Sequence, residues 1–397
     1  MILYLILLLT FITGQLGRIE IHPGVNIYLH DFVMFLLTVQ FLLNRRLNFP
    51  KVVNDPLFFP LFAFCFIALV SLLLNPLRLL YGELFISGLY LLRFILYCIL
   101  YFSLRIEIEK NNINSTLLTL GILGLGIIFS LLGFFQLIYY PNIRNISYLG
   151  WDPHYGRLVS SFFDPNFAGI FLVLLFIFAV GVGFEKNVSK ILKTCVLLSA
   201  IACFIALIFT FSRSSWISFI VGCIVLFSFN KKYRLLFFII LLFILSIILV
   251  SKPSGEGGKL NRQSTVTARL NNFDEFIKLS LEKPILGYGF NTLRYLKIKK
   301  SLIPKNEFYL NHAAGGVDNS LLFVLVTTGF FGLSAYLFLL FKIVKTALAK
   351  FNNNHASALI LASSLAVLVH SFFQNTLFYP WVMLYMWMIL ARRELNR

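Results

Sequence analysis

The chain is cut, almost from end to end, into apolar runs of about 17–25 residues, the length a helix needs to cross a hydrocarbon core about 30 Å thick. Inside lipid every backbone N–H and C=O must find a partner within the protein, which leaves only helices and closed barrels. Barrel strands alternate apolar and polar residues, and these runs do not alternate. Composition agrees: 59% of the 397 residues are hydrophobic and only 13% are charged, against about 25% in soluble domains. The expectation is an all-α polytopic integral membrane protein of about twelve transmembrane helices.

The 34 basic and 16 acidic residues leave a net charge of +18. In a soluble protein that excess would suggest nucleic acid. Here the basic residues fall in clusters on every second connection: Arg45, Arg46 and Lys51; Arg105 and Lys110; Lys186, Lys190 and Lys193; Lys231, Lys232 and Arg234; Lys342, Lys345 and Lys350; Arg392, Arg393 and Arg397. That alternation is the positive-inside pattern, so both termini are expected in the cytoplasm and the alternate loops outside, with no nucleic-acid partner. The five cysteines all lie in apolar runs, where inert buried thiols are expected and no disulfide or metal framework. The N-terminal run lacks a basic flank and a small-residue cleavage site, so it reads as a first span.

Three regions follow: residues 1–250 with nine spans, 251–320 as one long polar loop, and 321–397 with three more. Long loops translocate largely regardless of charge, which places 251–320 outside. Within it Val266, Leu270, Phe273, Ile277 and Leu281 form one apolar stripe at helical spacing, ended by Pro284. Thr265 or Thr267 is positioned to cap this helix, which is expected to lie on the membrane surface. Arg269 then sits near its N-terminus, where the helix dipole disfavours a cation. Further on, Arg294, Lys297, Lys299 and Lys300 read as a solvated or headgroup-facing basic patch.

Two shorter interruptions carry further candidates. Asp164-Pro165-Asn166 opens the sixth span, with Asp164 as its N-cap and Pro165 in its first turn. In FTFSRSSW, Arg213 occupies a tight outer turn, where it either snorkels to headgroups or serves a ligand. Arg93 lies inside the fourth span and needs a partner or a polar cavity. Outer-face arginines suit a phosphate or diphosphate, because guanidinium is always charged and binds phosphate oxygens bidentately. His312 and Asp318, where the long loop re-enters the membrane, are the candidate proton acceptors. There is no P-loop, GxGxxG or zinc-ligand spacing, and no internal repeat.

The segments SSFFDPNFAGIFL, FTFSRSSW, TARLNNFDEF with KPILGYGF, and VDNSLLFVLVTTGFFGLSAYLF resemble, in order and spacing, the bacterial O-antigen ligase and O-antigen polymerase superfamily over about residues 160–340. The resemblance implies a metal-independent, inverting glycosyltransferase without a cofactor, in the bacterial plasma (inner) membrane. Its donor would be an undecaprenyl-diphosphate-linked glycan and its acceptor a glycan or lipid. Arg213 and Arg269 match the family's diphosphate-holding arginines, with Asp164, Asn166 and Asn319 as further substrate-binding candidates. Ligases of this kind open the span after the large loop with His-Asn. Here the pair is Asp318-Asn319, with His312 upstream, which favours a polymerase. The alternative is a twelve-span transporter or flippase of polysaccharide precursors, which would show related halves around a midplane cavity.

Overall fold

The structure, a computed structural model, describes residues 1–22, 25–43, 49–185, 188–251, 253, 263–303, 316–349 and 355–392. His312, Arg262 and the cluster residues Arg45, Arg46, Lys186, Lys350, Arg393 and Arg397 lie outside the described residues. The helices are α1 (Ile2–Thr13), α2 (Leu29–Leu43), α3 (Phe49–Val53), α4 (Phe58–Leu73), α5 (Tyr81–Glu109), α6 (Ser115–Tyr139), α7 (Pro165–Gly183) and α8 (Lys190–Phe209). They continue with α9 (Arg213–Phe229), α10 (Tyr233–Leu249), α11 (Gln263–Glu282), α12 (Leu293–Lys299), α13 (Ser320–Ala349), α14 (His355–Ser371) and α15 (Pro380–Ala391). Among the described residues five of these (α5, α6, α7, α8 and α13) are long and apolar enough to cross a membrane, and seven more are shorter apolar helices.

α7 is the centre of the bundle, buried on nearly every side against α6, α8, α9 and α14. The periphery is apolar as well: Phe59, Phe62 and Phe66 on α4, and Phe237 and Phe238 on α10, stand exposed. A water-soluble monomer does not carry so continuous an apolar exterior, so the exterior belongs in lipid and the chain is a multi-pass membrane protein.

The first connection holds an element not anticipated above. β1 (Arg18–His22) pairs antiparallel with β2 (Val25–Tyr28), Arg18 opposite Tyr28, with an irregularity between Glu20 and His22. The alternation in Arg-Ile-Glu-Ile-His is a strand signal, but at five residues it is easily overlooked between two spans. The hairpin is the sole sheet among the described residues.

α13 is broken at Gly329, whose φ of 65° and ψ of −166° are not helical. A Cβ there would lie 2.2 Å from the Ile285 carbonyl oxygen, so this position requires glycine. Broken backbone inside a membrane bundle must be satisfied by other protein groups, and the segment after Pro284 supplies them. The Phe330 N–H donates to Pro284 O at 2.7 Å, while Tyr288 N–H donates to Val326 O at 3.0 Å and Gly289 N–H to Thr327 O at 2.8 Å. Ser71 Oγ on α4 closes the joint, donating to Leu286 O (2.6 Å) and Thr327 O (2.7 Å).

Candidate functional site

A cavity of about 830 Å³ opens where α7, α9, α13 and α15 begin and α1, α6, α8 and α14 end. Arg213, Arg269, Asp318, Asp164 and Asn166 all line it, although they come from four separate stretches of sequence.

Arg213 is the first residue of α9. The preceding turn is constrained from every side. Ser212 caps α9, its Oγ accepting from Ser215 N–H and donating to Asn166 Oδ1 at 2.8 Å. Phe211 adopts φ 49°, a conformation uncommon for a bulky residue and worth attention when it borders a site. Buried Arg157 holds it there, its Nε donating to Thr210 O at 2.9 Å and its Nη2 to Phe211 O at 3.1 Å. Behind the turn, fully buried His370 places Nε2 at 3.1 Å from Ser214 Oγ and 3.2 Å from Ser215 Oγ, with Nδ1 at 2.6 Å from Thr376 Oγ1. Asn166 is thus a strut of this turn as well as part of the cavity wall. Neither Arg157 nor His370 was singled out from sequence. His370 sits in an otherwise apolar run with two serines 155 and 156 positions away as partners, a pairing that spacing along the chain does not reveal.

Arg269 comes from α11, which begins at Gln263. Thr265 and Thr267 therefore lie inside the helix and not at its N-cap position. Arg269 stands in the second turn, beyond the reach of the dipole penalty expected for it. Its orientation has a different cause. The stripe residues Leu270, Phe273 and Leu281 are exposed, whereas Phe276, Leu279 and Ser280 are buried. Arg269 and Asn272 share the helical face of Phe276 and Leu279, so docking that face on the bundle delivers them to the cavity.

The carboxylates are perturbed together. Asp318 is accessible within the cavity, but the walls around it withdraw water and raise its pKa from the usual range, opposed by the positive charges of Arg269 and Lys297. Burial raises Asp164 as well, against N–H groups of Asn166 and Phe167 and the charges of Arg157 and Arg269. Its Oδ1 is the α7 cap, accepting from Asn166 N–H at 2.6 Å and Phe167 N–H at 3.2 Å. Asp152 is raised by burial and then by the Asp164 charge. The Arg269 pKa is lowered, first by burial and further by Arg213, with Asp318 and Asp164 acting against it. Arg213 and Arg269 are therefore close enough to repel each other, an arrangement that an anion between them would relieve.

Lys297 departs from the solvated patch expected of it. It is 8% exposed, lies over the Phe276 ring at 5.2 Å, and donates to Gly316 O at 2.7 Å, fixing the chain two residues before Asp318. Burial brings its pKa down to about 8. Asn319 caps α13, its Oδ1 accepting from Leu321 and Leu322 N–H at 2.9 and 3.0 Å. Arg93 finds its partner in Asp31, donating from Nε at 3.0 Å and Nη2 at 2.8 Å.

Two further features adjoin these groups. A groove of about 350 Å³ runs from Arg213, Arg269 and Asp318 past Ile217, Leu270, Phe273 and Phe372, all four exposed on the apolar exterior. Ligand atoms of Asp152, His154 and Asp164 lie within 4.8 Å of one another, a spacing from which oxygen and imidazole donors could hold a divalent cation.

Compared with known families, residues 198–337 match the model of the family described as O-antigen ligase. No curated protein matches the chain. The matched segment runs from α8 to α13 and contains Arg213, Arg269, Asp318 and Asn319, while Asp164, Asn166 and Asp152 precede it. Over that segment the match supports the resemblance to the O-antigen ligase and polymerase superfamily seen in the sequence.

Proposed function

We propose that the protein is a membrane glycosyltransferase that polymerises an undecaprenyl-diphosphate-linked glycan on the outer face of the bacterial plasma membrane, without a metal ion. The observation that carries this reading is the meeting of Arg213 and Arg269, with Asp318 and Asp164, on one cavity wall. Two mutually repelling guanidinium groups suit a diphosphate placed between them. The groove past Ile217, Leu270 and Phe273 offers the isoprenoid tail an apolar path from that point into lipid.

In the reaction, an acceptor sugar hydroxyl attacks the anomeric carbon of the donor. The C–O bond to the diphosphate breaks and its electron pair stays on the diphosphate oxygen. In-line attack inverts the anomeric centre. Arg213 and Arg269 stabilise the negative charge that grows on the leaving group, more in the transition state than before it. Asp318, ionised, takes the hydroxyl proton. It stands exposed to the cavity and its raised pKa brings a carboxylate nearer the working pH. Asp164 has one oxygen committed to its helix cap and serves the site chiefly through its charge.

The test is a deletion strain complemented with variants, read as the length distribution of its surface glycan. Loss of long chains marks a polymerase, whereas free polymer that is no longer attached marks a ligase. Asp318→Asn should abolish extension, while Asp164→Asn, which retains an N-cap, should keep a substantial part. A normal ladder from Asp318→Asn at ordinary abundance would remove Asp318 as the base. A deletion strain that accumulates precursor on the cytoplasmic side would favour the transporter reading.

A further inference from the structure

The cavity is larger than a diphosphate requires, since volumes of about 300–1,000 Å³ accommodate whole drug-sized ligands. Its walls also change character along their length. The diphosphate end is the cluster of Arg213, Arg269, Asp318 and Asp164. The other end is built by the β1–β2 hairpin, α5 and the loop before α7, from Arg18, Asn26, Tyr28, Tyr90, Arg93 and Trp151. Here the arginines lie over rings: Arg18 is 5.8 Å from the Trp151 ring centroid, and Arg93 is 5.3 Å from Tyr28 and 5.2 Å from Tyr90. Their charge is largely met, Arg93 by Asp31 and Arg18 by Glu20 at 3.3 Å, with Arg18 Nε also donating to Asn26 Oδ1 at 2.8 Å. A wall of aromatic faces edged by fixed planar hydrogen-bonding groups, with its net charge neutralised, does not select an anion.

We infer that this hairpin end is the acceptor subsite, and that it binds a neutral pyranose of the acceptor glycan by stacking on Trp151 and Tyr90. The inference rests on the diphosphate reading of the opposite end. A pyranose ring presents C–H groups on its face and hydroxyls at its rim. The face meets an aromatic ring, and the rim meets Arg18, Asn26 and Arg93. The cavity wall also offers Asn375 Oδ1, buried and without a hydrogen-bond partner among the described residues. A buried carbonyl oxygen in that state is costly unless a donor arrives, and sugar hydroxyls are donors. Placement fits the chemistry too. Trp151 precedes Asp152 in the chain, and its ring lies 5.4 Å from that of Phe163, the neighbour of Asp164. A sugar on Trp151 therefore has its rim beside the carboxylates, between the hairpin and the leaving group.

The probe is a set of oligosaccharides released by mild acid from the host's own surface glycan, added to the full chain in lipid nanodiscs and followed by equilibrium dialysis. Wild type should bind them saturably. Trp151→Ala and Tyr90→Ala should each weaken binding about tenfold or more, while Trp151→Phe and Tyr90→Phe, which keep a ring, should retain most of it. Arg213→Lys should bind the oligosaccharides as wild type does while losing transfer. The subsite is overturned if wild type does not bind them, if both alanine variants bind as wild type does, or if binding is lost in Arg213→Lys. Normal transfer by Arg213→Lys, with oligosaccharide binding still dependent on Trp151, would instead defeat the diphosphate reading and leave the subsite standing.

Discussion

The two ends of the helix bundle use the same residue types to opposite purposes. At the end away from the main cavity, charges close on one another. Arg105 holds the buried Asp55 and also Glu109, whose other oxygen accepts from Lys51 at 3.1 Å. Asp55 further accepts from Tyr101 OH and Leu57 N–H, and Arg392 meets Glu185 at 3.6 Å. A hollow of about 440 Å³ lies there too, but the charges that line it, Lys51, Asp55, Arg105 and Glu109, are paired with one another. At the cavity end, Arg213 and Arg269 line the same open space, and the surrounding walls push the pKa values of three carboxylates upward. Closed pairs hold helices in place, whereas ionisable groups of both signs gathered around open space are the arrangement expected where a ligand binds.

That contrast can be broken experimentally, beginning where the effect should be greatest. Arg105→Ala leaves Asp55 buried without its cation, which should cost about 3–5 kcal/mol of stability. Unfolding in detergent should show the loss, while turnover per folded molecule stays unchanged. Arg213→Lys and Arg269→Lys should do the reverse. Each keeps the charge but loses the planar fork, so turnover should drop by about 10²-fold or more, roughly 2.7 kcal/mol, with no change in the unfolding midpoint. Wild-type extension by either lysine variant would erase the distinction between the ends.

A smaller effect concerns pH. Asp318 must be ionised to accept a proton, and its pKa lies above the ordinary value of about 3.9. Activity should therefore fall as pH drops through that raised pKa, with an acid limb above the ordinary carboxylate range. Lys297 lowers the Asp318 pKa. Lys297→Gln keeps a donor for Gly316 O but removes the charge, so the limb should move to higher pH. An unmoved limb would mean that another group limits the rate on the acid side. Smallest of all, Lys51→Ala removes an ion pair in which Lys51 is 56% exposed, and should cost at most about 1 kcal/mol.

Much of this was legible in the sequence because lipid imposes so few solutions. Apolar runs translate into helices, and Asp164-Pro165 was readable as a helix start. Arg213 and Arg269 stood out because neither has a local explanation in its own stretch. What could not be read was which residues meet. Arg93 and Asp31 pair across 62 positions, and His370 supports a turn more than 150 residues earlier. The apolar stripe of α11 is visible in the sequence, but the face that docks on the bundle is centred on Phe276 and Leu279, and nothing in the basic run of α12 distinguishes buried Lys297 from its solvated neighbours. Five-residue strands carry too little pattern to compete with the spans on either side.

The joint at Gly329 bears on how freely this chain can be recombined. The loop segment from Pro284 to Gly289 supplies hydrogen-bond partners to a gap in α13, and α4 contributes Ser71 to the same joint. A chimaera that exchanged residues 263–303 between related chains, in the hope of moving specificity, would also exchange half of a splice inside the bilayer. Transplants should survive only when the broken helix, its glycine and the serine travel with the loop.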